Sequence, residues 1–590
     1  MSQDELSHGG RPRRWTKVSW WYSLVLPVAL LLLVASVLID RLGSDPALTG
    51  VVTDAYTGEP VSGAQVSAGA TAVETDGSGS FEFESPYSGP ISVSREDYES
   101  TQVAVDLDDE QVAIRIRPTT LTGTVTNLRT GEPLEGARVT VTNPTRATAK
   151  TVTDESGMYL LFDIPSDATV TVEHAGLSPV TEAVGNNLVL DFDVRPDIIT
   201  GRIVDGAGEP VDGAQVQLGS VSAVSETDGT YRLTDVPGEG QIFIKKVGFR
   251  EATADYPDDM IVDATLEAFT VRAIYVPADV AGDQQRWQET LQLIESTEIN
   301  AVVLDVKDES GIVHFDSSVP LAAEIGAAEP GYDLESCLED LADRDIYAIA
   351  RMVIFDDPLL ASQRPDLAIK DLGSGEVWTT WDGSAWVNTL EEEVWKYNID
   401  LATEVAAAGF DEIQLDYLRF PTDGPIEVAD YGTALDPDVR AEAMTEFLTR
   451  MRAAVGTSQV FIAAIVTGVG VWDESDNGIG QDLDDIAPLV DVVSPMLYPA
   501  HFPPGTFGYD FPNDHPYQIV RVNLEHVQAR FGASAFKFRP WLQDFSSGVG
   551  INYGSDEVRA QIDAAEQFGQ SGWMLWNDGS DYSTAALANQ

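Results

Sequence analysis

The chain has 590 residues, of which 43% are hydrophobic and 22% charged, a globular composition too long for one ordinary core and divisible into roughly four units. Its 35 basic against 96 acidic residues give a formal charge of -61, which repels phosphate backbones and argues against nucleic acid as a partner. The single cysteine, Cys337, excludes an internal disulfide and a zinc-thiolate cluster. Acids run along the whole chain, a pattern that fits either solubility at high salt or a GC-rich genome.

Residues 1–17 form a basic segment that contains Arg11, Arg13, Arg14 and Lys17. Val18 to Ile39 then carries no charged side chain, and about 20 apolar residues suffice to span a bilayer. Trp20, Trp21 and Tyr22 stand where an interfacial belt would, and Asp40 follows. The expectation is an uncleaved transmembrane anchor over 18–39, with the N-terminus in the cytoplasm and the rest of the chain outside the cell. A cleaved signal peptide is the competing reading, but no A-x-A site follows the apolar run.

One pattern then recurs three times, predicting β-sandwiches over 47–118, 119–197 and 198–269. Each copy opens on a strand and a turn: TGVVTDAYTGEPVSGAQV from Thr49, TGTVTNLRTGEPLEGARV from Thr122 and TGRIVDGAGEPVDGAQV from Thr200. Gly50, Gly123 and Gly201 are spaced 73 and 78 residues apart. Thr75-Asp76, Thr153-Asp154 and Thr227-Asp228 each lead through a glycine to an aromatic, Phe81, Tyr159 and Tyr231. Short alternating strands with Gly and Pro turns read as small sandwiches. The pattern resembles the carboxypeptidase regulatory-like domains, prealbumin-like sandwiches found in tandem in extracellular proteins. Asp154, Glu155 and Ser156 supply oxygens, but as turn formers rather than as a full calcium loop. The repeats are expected to act as a stalk.

From 270 to 590 apolar strands alternate with amphipathic helices, the signature of βα units. Eight strands are predicted: Val271 to Val276, Ala301 to Val306, Tyr347 to Ile354, Glu412 to Tyr417, Val460 to Val466, Val490 to Leu497, Lys537 to Leu542 and Trp573 to Trp576. Trp287 and Trp395 fall on helices as core residues, and so does Cys337, at helical spacing from Leu334, Leu338 and Leu341. No Gly-rich phosphate loop follows any strand, so a (β/α)8 barrel is expected rather than an open nucleotide-binding sheet. The fold class is thus multidomain: an N-terminal transmembrane helix, three β-sandwiches and a C-terminal TIM barrel.

Barrel enzymes keep their functional groups at the C-terminal ends of the strands. Those ends carry Asp305, Lys307 and Asp308 after the second strand, Arg351 in the third, and Asp416 and Arg419 after the fourth. The sixth, seventh and eighth add Tyr498 and His501, then Trp541, Gln543 and Asp544, then Trp576 and Asn577. Trp378, Trp381 and Trp386 crowd the loop after the third strand. Flat side chains with a polar tip suit sugar rings, so tryptophans beside carboxylates point to a carbohydrate. With six histidines and no H-x-x-x-H pair, metal ligation is not expected, nor is any cofactor.

The segments LDVKDESG, QLDYLRFPTDG, SPMLYPAHF, RPWLQDF and GWMLWND, between Val271 and Asn577, resemble the "putative glycoside hydrolase domain" family of (β/α)8 proteins. The resemblance implies hydrolysis of glycosidic bonds, with Asp416 as the residue carried over. Such hydrolysis ordinarily uses two carboxyl groups, one protonated and one ionised. Asp416, near Arg419, suits the nucleophile or base; Asp544, beside Trp541, suits the proton donor, with Asp308 or Asp305 as the next choice. Simple pairing of Asp305 with Lys307 or Arg351 is the competing reading. Lys307, Arg351, Arg419, Tyr498, His501, Trp541, Gln543, Trp576, Asn577, Trp378 and Trp381 are the candidate substrate contacts. A carbohydrate-binding surface protein without activity, or a non-glycosidic carbohydrate-active enzyme on the same barrel, is the alternative.

Overall fold

The structure is a computed structural model that describes residues 48–588 apart from 145–147, 258, 457–459, 549 and 570. The basic segment and the expected anchor over 18–39 lie outside the described residues. Among the described residues no helix is long and apolar enough to cross a membrane. The chain divides into two compact units, Met1–Pro196 and Asp197–Gln590.

The first unit holds two sandwiches, each pairing a three-stranded with a four-stranded sheet. In the first, Leu48–Asp54 runs antiparallel to Ser80–Phe83 and parallel to Gln111–Ile116, and its alternate residues Leu48 and Val52 are fully buried. The strand order explains the repeat. Gly50, Gly123 and Gly201 sit directly opposite Phe81, Tyr159 and Tyr231 on the neighbouring strand. A Cβ at Gly123 would lie 1.7 Å from the Leu190 carbonyl oxygen and 2.9 Å from the Tyr159 ring, so only glycine lets ring and backbone close there. The motif is therefore a cross-strand packing pair rather than a binding loop.

The hydroxyls of Thr75 and Thr153 accept the amides of Ala64 and Ala137 and donate to Val61 and Leu134 carbonyls, pinning each Gly-Glu-Pro bend to the sheet. In the third copy Ser225 makes the corresponding bonds, to Ala214 and Val211, so the match of Thr227-Asp228 to the earlier Thr-Asp pairs is displaced by two residues. Asp154 Oδ1 accepts from the Ser156 amide and hydroxyl and from the Met158 amide, the bonding of a turn former.

The second unit contains the third sandwich and a closed barrel of eight parallel strands. These are β1 (Val271–Val276), β2 (Ala301–Lys307), β3 (Tyr347–Val353), β4 (Glu412–Asp416), β5 (Phe461–Thr467), β6 (Val492–Met496), β7 (Trp541–Gln543) and β8 (Gly572–Trp576). The ring closes through β1 and β8, with Val271 opposite Gly572. Helices α1 (Gln284–Ser296), α2 (Leu334–Ala342), α3 (Glu392–Ala408), α4 (Pro437–Val455), α5 (Leu483–Ile486), α6 (Pro516–Phe531) and α7 (Ser555–Gln567) follow β1 to β7 in turn. Alternation along each strand divides the core in two. Ile274, Val276, Val302 and Leu304 pack outward against Trp287, Leu291 and Ile294 of α1. Ala273, Tyr275, Val303, Ile349 and Met574 fill the interior. Trp395 and Cys337 are buried in the outer layer, on α3 and α2.

Alternation also corrects the expectation for β7. Lys537 lies before the strand, where its ammonium donates to the Ala487 and Val490 carbonyls, and the pairing with β8 begins only at Trp541. Beneath the interior apolar layer Arg539 donates to Glu412 at 2.7 Å, and Gln414 to Glu412 at 3.0 Å, so β4 faces the barrel axis with Glu412, Gln414 and Asp416 in succession.

The third sandwich covers the N-terminal end of the barrel. Phe269 lies 5.6 Å from the Tyr347 ring, Lys245 donates to the Val460 carbonyl at 2.9 Å, and Arg250 holds Asp345 at 2.9 Å, all where strands begin. At this seam burial pushes the Glu251 carboxyl up to about 8; nearby Asp411 and Asp491 add to the rise, while Lys245 opposes it. A carboxyl whose folded value lies above its ordinary 4.5 holds a proton in the native state that the unfolded chain has lost. Stability is therefore expected to fall as pH rises between about 4.5 and 8. Glu251→Gln should raise the melting temperature relative to wild type at pH 8 and lose that advantage at pH 4.5, measured by thermal scans at the two pH values.

Candidate active site

At the C-terminal ends of the strands, opposite the sandwich, Arg351 of β3 ties two carboxylates together. Its Nη1 donates to Asp305 Oδ1 at 2.8 Å, while Nε and Nη2 reach Asp416 Oδ2 at 2.8 and 2.7 Å. Register makes this possible: Asp305 pairs with Arg351 across β2 and β3, and Val353 with Asp416 across β3 and β4. The second oxygen of Asp416 accepts its neighbour's amide, Tyr417 N–H, at 2.7 Å. Tyr417 stands at φ 49°, a left-handed conformation that costs a non-glycine residue about 1–3 kcal/mol and concentrates at functional sites.

Asp305 is more deeply held. The Tyr275 hydroxyl donates to its Oδ2 at 2.5 Å, and Tyr332 donates to its backbone carbonyl at 2.9 Å. Burial pushes its carboxyl up, while the Arg351 guanidinium and the Tyr275 hydroxyl pull it down. With one oxygen on Arg351 and the other on Tyr275, Asp305 orients the arginine.

Aromatic rings wall the same opening. Tyr275 and Trp576 stack with centroids 4.0 Å apart and planes at 10°, Trp541 meets Trp576 edge-on at 5.4 Å, and Arg351 lies 5.0 Å from the Trp576 ring. Tyr498 is buried within the field of Asp416 and Arg351, and His501 packs edge-on against it at 5.0 Å. On the β4 side Arg419 lies over the rings of Trp386 and Tyr417, at 5.0 and 5.1 Å.

Several predicted groups stand elsewhere. Asp544 Oδ1 and Oδ2 accept from the Ser583 hydroxyl and amide, each at 2.8 Å, so the carboxylate fastens the C-terminal segment; burial raises its carboxyl and these bonds oppose the rise. Asn577 likewise folds back on the Asp544 and Asp581 carbonyls. Gln543 is fully buried and bonds Ala500, Asn513 and Phe545, bridging loops beneath the rim. Asp308 accepts from Ser310, Ile312 and His314; burial raises its carboxyl, but the His314 and Ser310 bonds outweigh this and hold it at about 2, a turn lock that is ionised throughout the working range. Lys307 points into the barrel wall, 2.8 Å from Asp357 and from the Val353 carbonyl. Trp378 is 1% exposed, with its indole N–H on the Pro425 carbonyl, whereas Trp381 is 78% exposed. The loop tryptophans therefore divide: Trp378 is core, Trp386 supports Arg419, and Trp381 alone is open to solvent.

Two acids at this mouth were not singled out from the sequence. Glu309 is largely exposed and reaches Arg351 at 3.4 Å. Asp356 follows β3, where the Ile354 amide still donates to the Asp416 carbonyl at 2.9 Å. It accepts the Ser384 hydroxyl at 3.3 Å, and burial pushes it up to about 7 against the opposing Ser384 bond and Arg419 charge. Its signal was the rule that located the others, an acid just past a strand end, in IFDDP.

A parallel eight-stranded barrel with carboxylates, an arginine and stacked aromatics at its C-terminal mouth has the form of a (β/α)8 domain with its candidate site at the end where such barrels keep theirs. A family model described as "Putative glycosyl hydrolase domain" matches residues 273–582, just over half of the chain, and a "Carboxypeptidase regulatory-like domain" model matches residues 120–195. The chain belongs to this glycosyl hydrolase-like family, with a carboxypeptidase regulatory-like domain upstream. Among solved structures, a hypothetical protein from Ruminiclostridium thermocellum ATCC 27405 is 34% identical over 32% of this chain and 96% of its own, with a TM-score of 0.30. The glycoside hydrolase domain of PgaB (BpsB) from Bordetella bronchiseptica is 14% identical over 52% of this chain and 94% of its own, at 0.41. That of PelA from Pseudomonas aeruginosa is 11% identical over 54% and 97%, at 0.32. No curated protein matches the sequence.

Proposed function

We propose that the barrel is a glycoside hydrolase in which Asp416 is the ionised carboxylate acting at the anomeric carbon. The observation that carries this is the Arg351 grip on Asp416 at the mouth, which aims one acid into an opening walled by Tyr275, Trp576 and Tyr498. Stacked rings offer apolar faces to a sugar, and an anion held by a guanidinium is prepared either to attack the anomeric carbon or to take a proton from water. The substrate is a polysaccharide or cell-envelope glycan. Asp416→Asn should reduce release of reducing ends from a polysaccharide panel by on the order of 10³-fold or more, with binding to the same glycan retained. Equal release by variant and wild type would remove Asp416 from the mechanism; retained binding with no release by either would favour a lectin.

The same reading places the sandwiches and barrel outside the cell, held by the apolar segment over 18–39. It rests on the basic residues from Arg11 to Lys17 before an uncharged run and on the bilayer length of that run. External protease should digest the barrel on intact cells; protection until lysis would overturn it.

A further inference from the structure

We infer that Asp356 is the proton donor that partners Asp416, an assignment that rests on the glycoside hydrolase reading. Hydrolysis needs a second carboxyl that carries a proton and faces the leaving oxygen. Four other acids do not offer one. Asp305 has an oxygen on Arg351 and an oxygen on Tyr275. Asp544 is closed on Ser583 and Asp308 on its own turn. Glu309 is largely exposed and its carboxylate already reaches the Arg351 guanidinium at 3.4 Å.

Asp356 differs in place and surroundings. The chain leaves β3 hydrogen-bonded to Asp416 through Ile354 N–H, so Asp356 begins the loop alongside the Asp416 strand end. Phe355, before it, is fully buried, and Asp357, after it, is turned into the wall on Lys307. Asp356 itself is half-buried and accepts the Ser384 hydroxyl on one oxygen, and among the described residues no hydrogen bond reaches its second oxygen. Asp416, Arg351, Asp356 and Arg419 all act on the Tyr417 hydroxyl, so both acids lie within electrostatic reach of one tyrosine. Burial holds the Asp356 carboxyl at about 7, with Glu309 and Asp357 adding to the rise. A carboxyl with that value is protonated in about half of the molecules at neutral pH, the condition a general acid requires.

The step balances without any co-reactant but water. The bond from the anomeric carbon to the bridging oxygen breaks with its electron pair on that oxygen, and the Asp356 proton caps it as a hydroxyl. The anomeric carbon is taken by Asp416 or by water that Asp416 deprotonates. If Asp416 attacks, water then displaces it from the anomeric carbon and gives its proton to Asp356; if water attacks, its proton goes to Asp416 and is released to solvent, from which Asp356 is reprotonated.

The test compares wild type with Asp356→Asn on the polysaccharide that wild type cleaves and on the matching 2,4-dinitrophenyl glycoside, whose leaving group needs no proton. The variant should lose on the order of 10²–10⁴-fold on the polysaccharide and far less on the aryl glycoside, and the alkaline fall of the wild-type rate near pH 7 should disappear. Equal losses on both substrates, or no loss, would overturn the assignment while leaving the glycosidase reading intact. Cleavage of neither substrate class by wild type would overturn that reading and the assignment with it. Independently of activity, a difference infrared titration of the carboxyls should show one group near 7 in wild type that is missing from the variant. Its absence from wild type would remove Asp356 as the donor.

Discussion

Arg351→Met is expected to cost about 3–5 kcal/mol of stability and to abolish hydrolysis, because it leaves two buried carboxylates without their cation. Asp305 and Asp416 are 3% and 8% exposed, and Arg351 supplies an ion pair to each. Without the guanidinium, Asp305 retains only the Tyr275 hydroxyl to oppose the rise that burial imposes on its carboxyl. The double variant R351M/D305N should recover part of the lost stability in denaturant unfolding, since it removes one uncompensated charge. It should not recover activity, since Asp416 would still lack the group that aims it. Recovery of activity in the double variant would show that Arg351 acts only on Asp305.

Lys307→Met is expected to be nearly as damaging to the fold, by about 3 kcal/mol or more, with its effect on stability rather than on substrate affinity. The ammonium is 1% exposed and shared between Asp357, the Val353 carbonyl and Asn398. Asp357 is fully buried and caps the short helix Pro358–Gln363 through the Leu360 amide at 2.8 Å, so its charge cannot relax into solvent. Joint replacement, K307M/D357L, should restore most of the loss, because a buried pair replaced by apolar groups of similar volume is close to neutral. A raised KM with an unchanged melting temperature would instead mean that Lys307 touches substrate.

These two lysine and arginine sites mark where reading the sequence stopped. Lys307 and Arg351 stand near the ends of adjacent strands, and both suit an acid partner. Which one reaches Asp305 depends on side-chain direction: Asp305 and Arg351 face the barrel axis, whereas Lys307 lies beyond a register shift between Asp305 and Lys307 that turns it into the wall. Asp544 lies three residues past Trp541 in sequence, but the hydroxyl its carboxylate accepts from belongs to Ser583, 39 residues on. Trp378 and Trp381 are three residues apart, but the first is packed into the core with its indole N–H on the Pro425 carbonyl, 47 residues away.

Determined by the sequence alone were the features whose physics is local or periodic. The recurring glycine and aromatic mark a sandwich because no other residue lets the strand pass under the ring. Apolar strands alternating with amphipathic helices require a covered parallel sheet, and an acid at the end of β4 falls at its open face. Only the tertiary structure decided the partners, since ion pairs and proton donors are chosen by distance in space. It joined Asp416 to Arg351, tied the Asp544 carboxylate to Ser583 and the Lys307 ammonium to Asp357, and bonded the chain just before Asp356 to the strand end that the sequence had already marked.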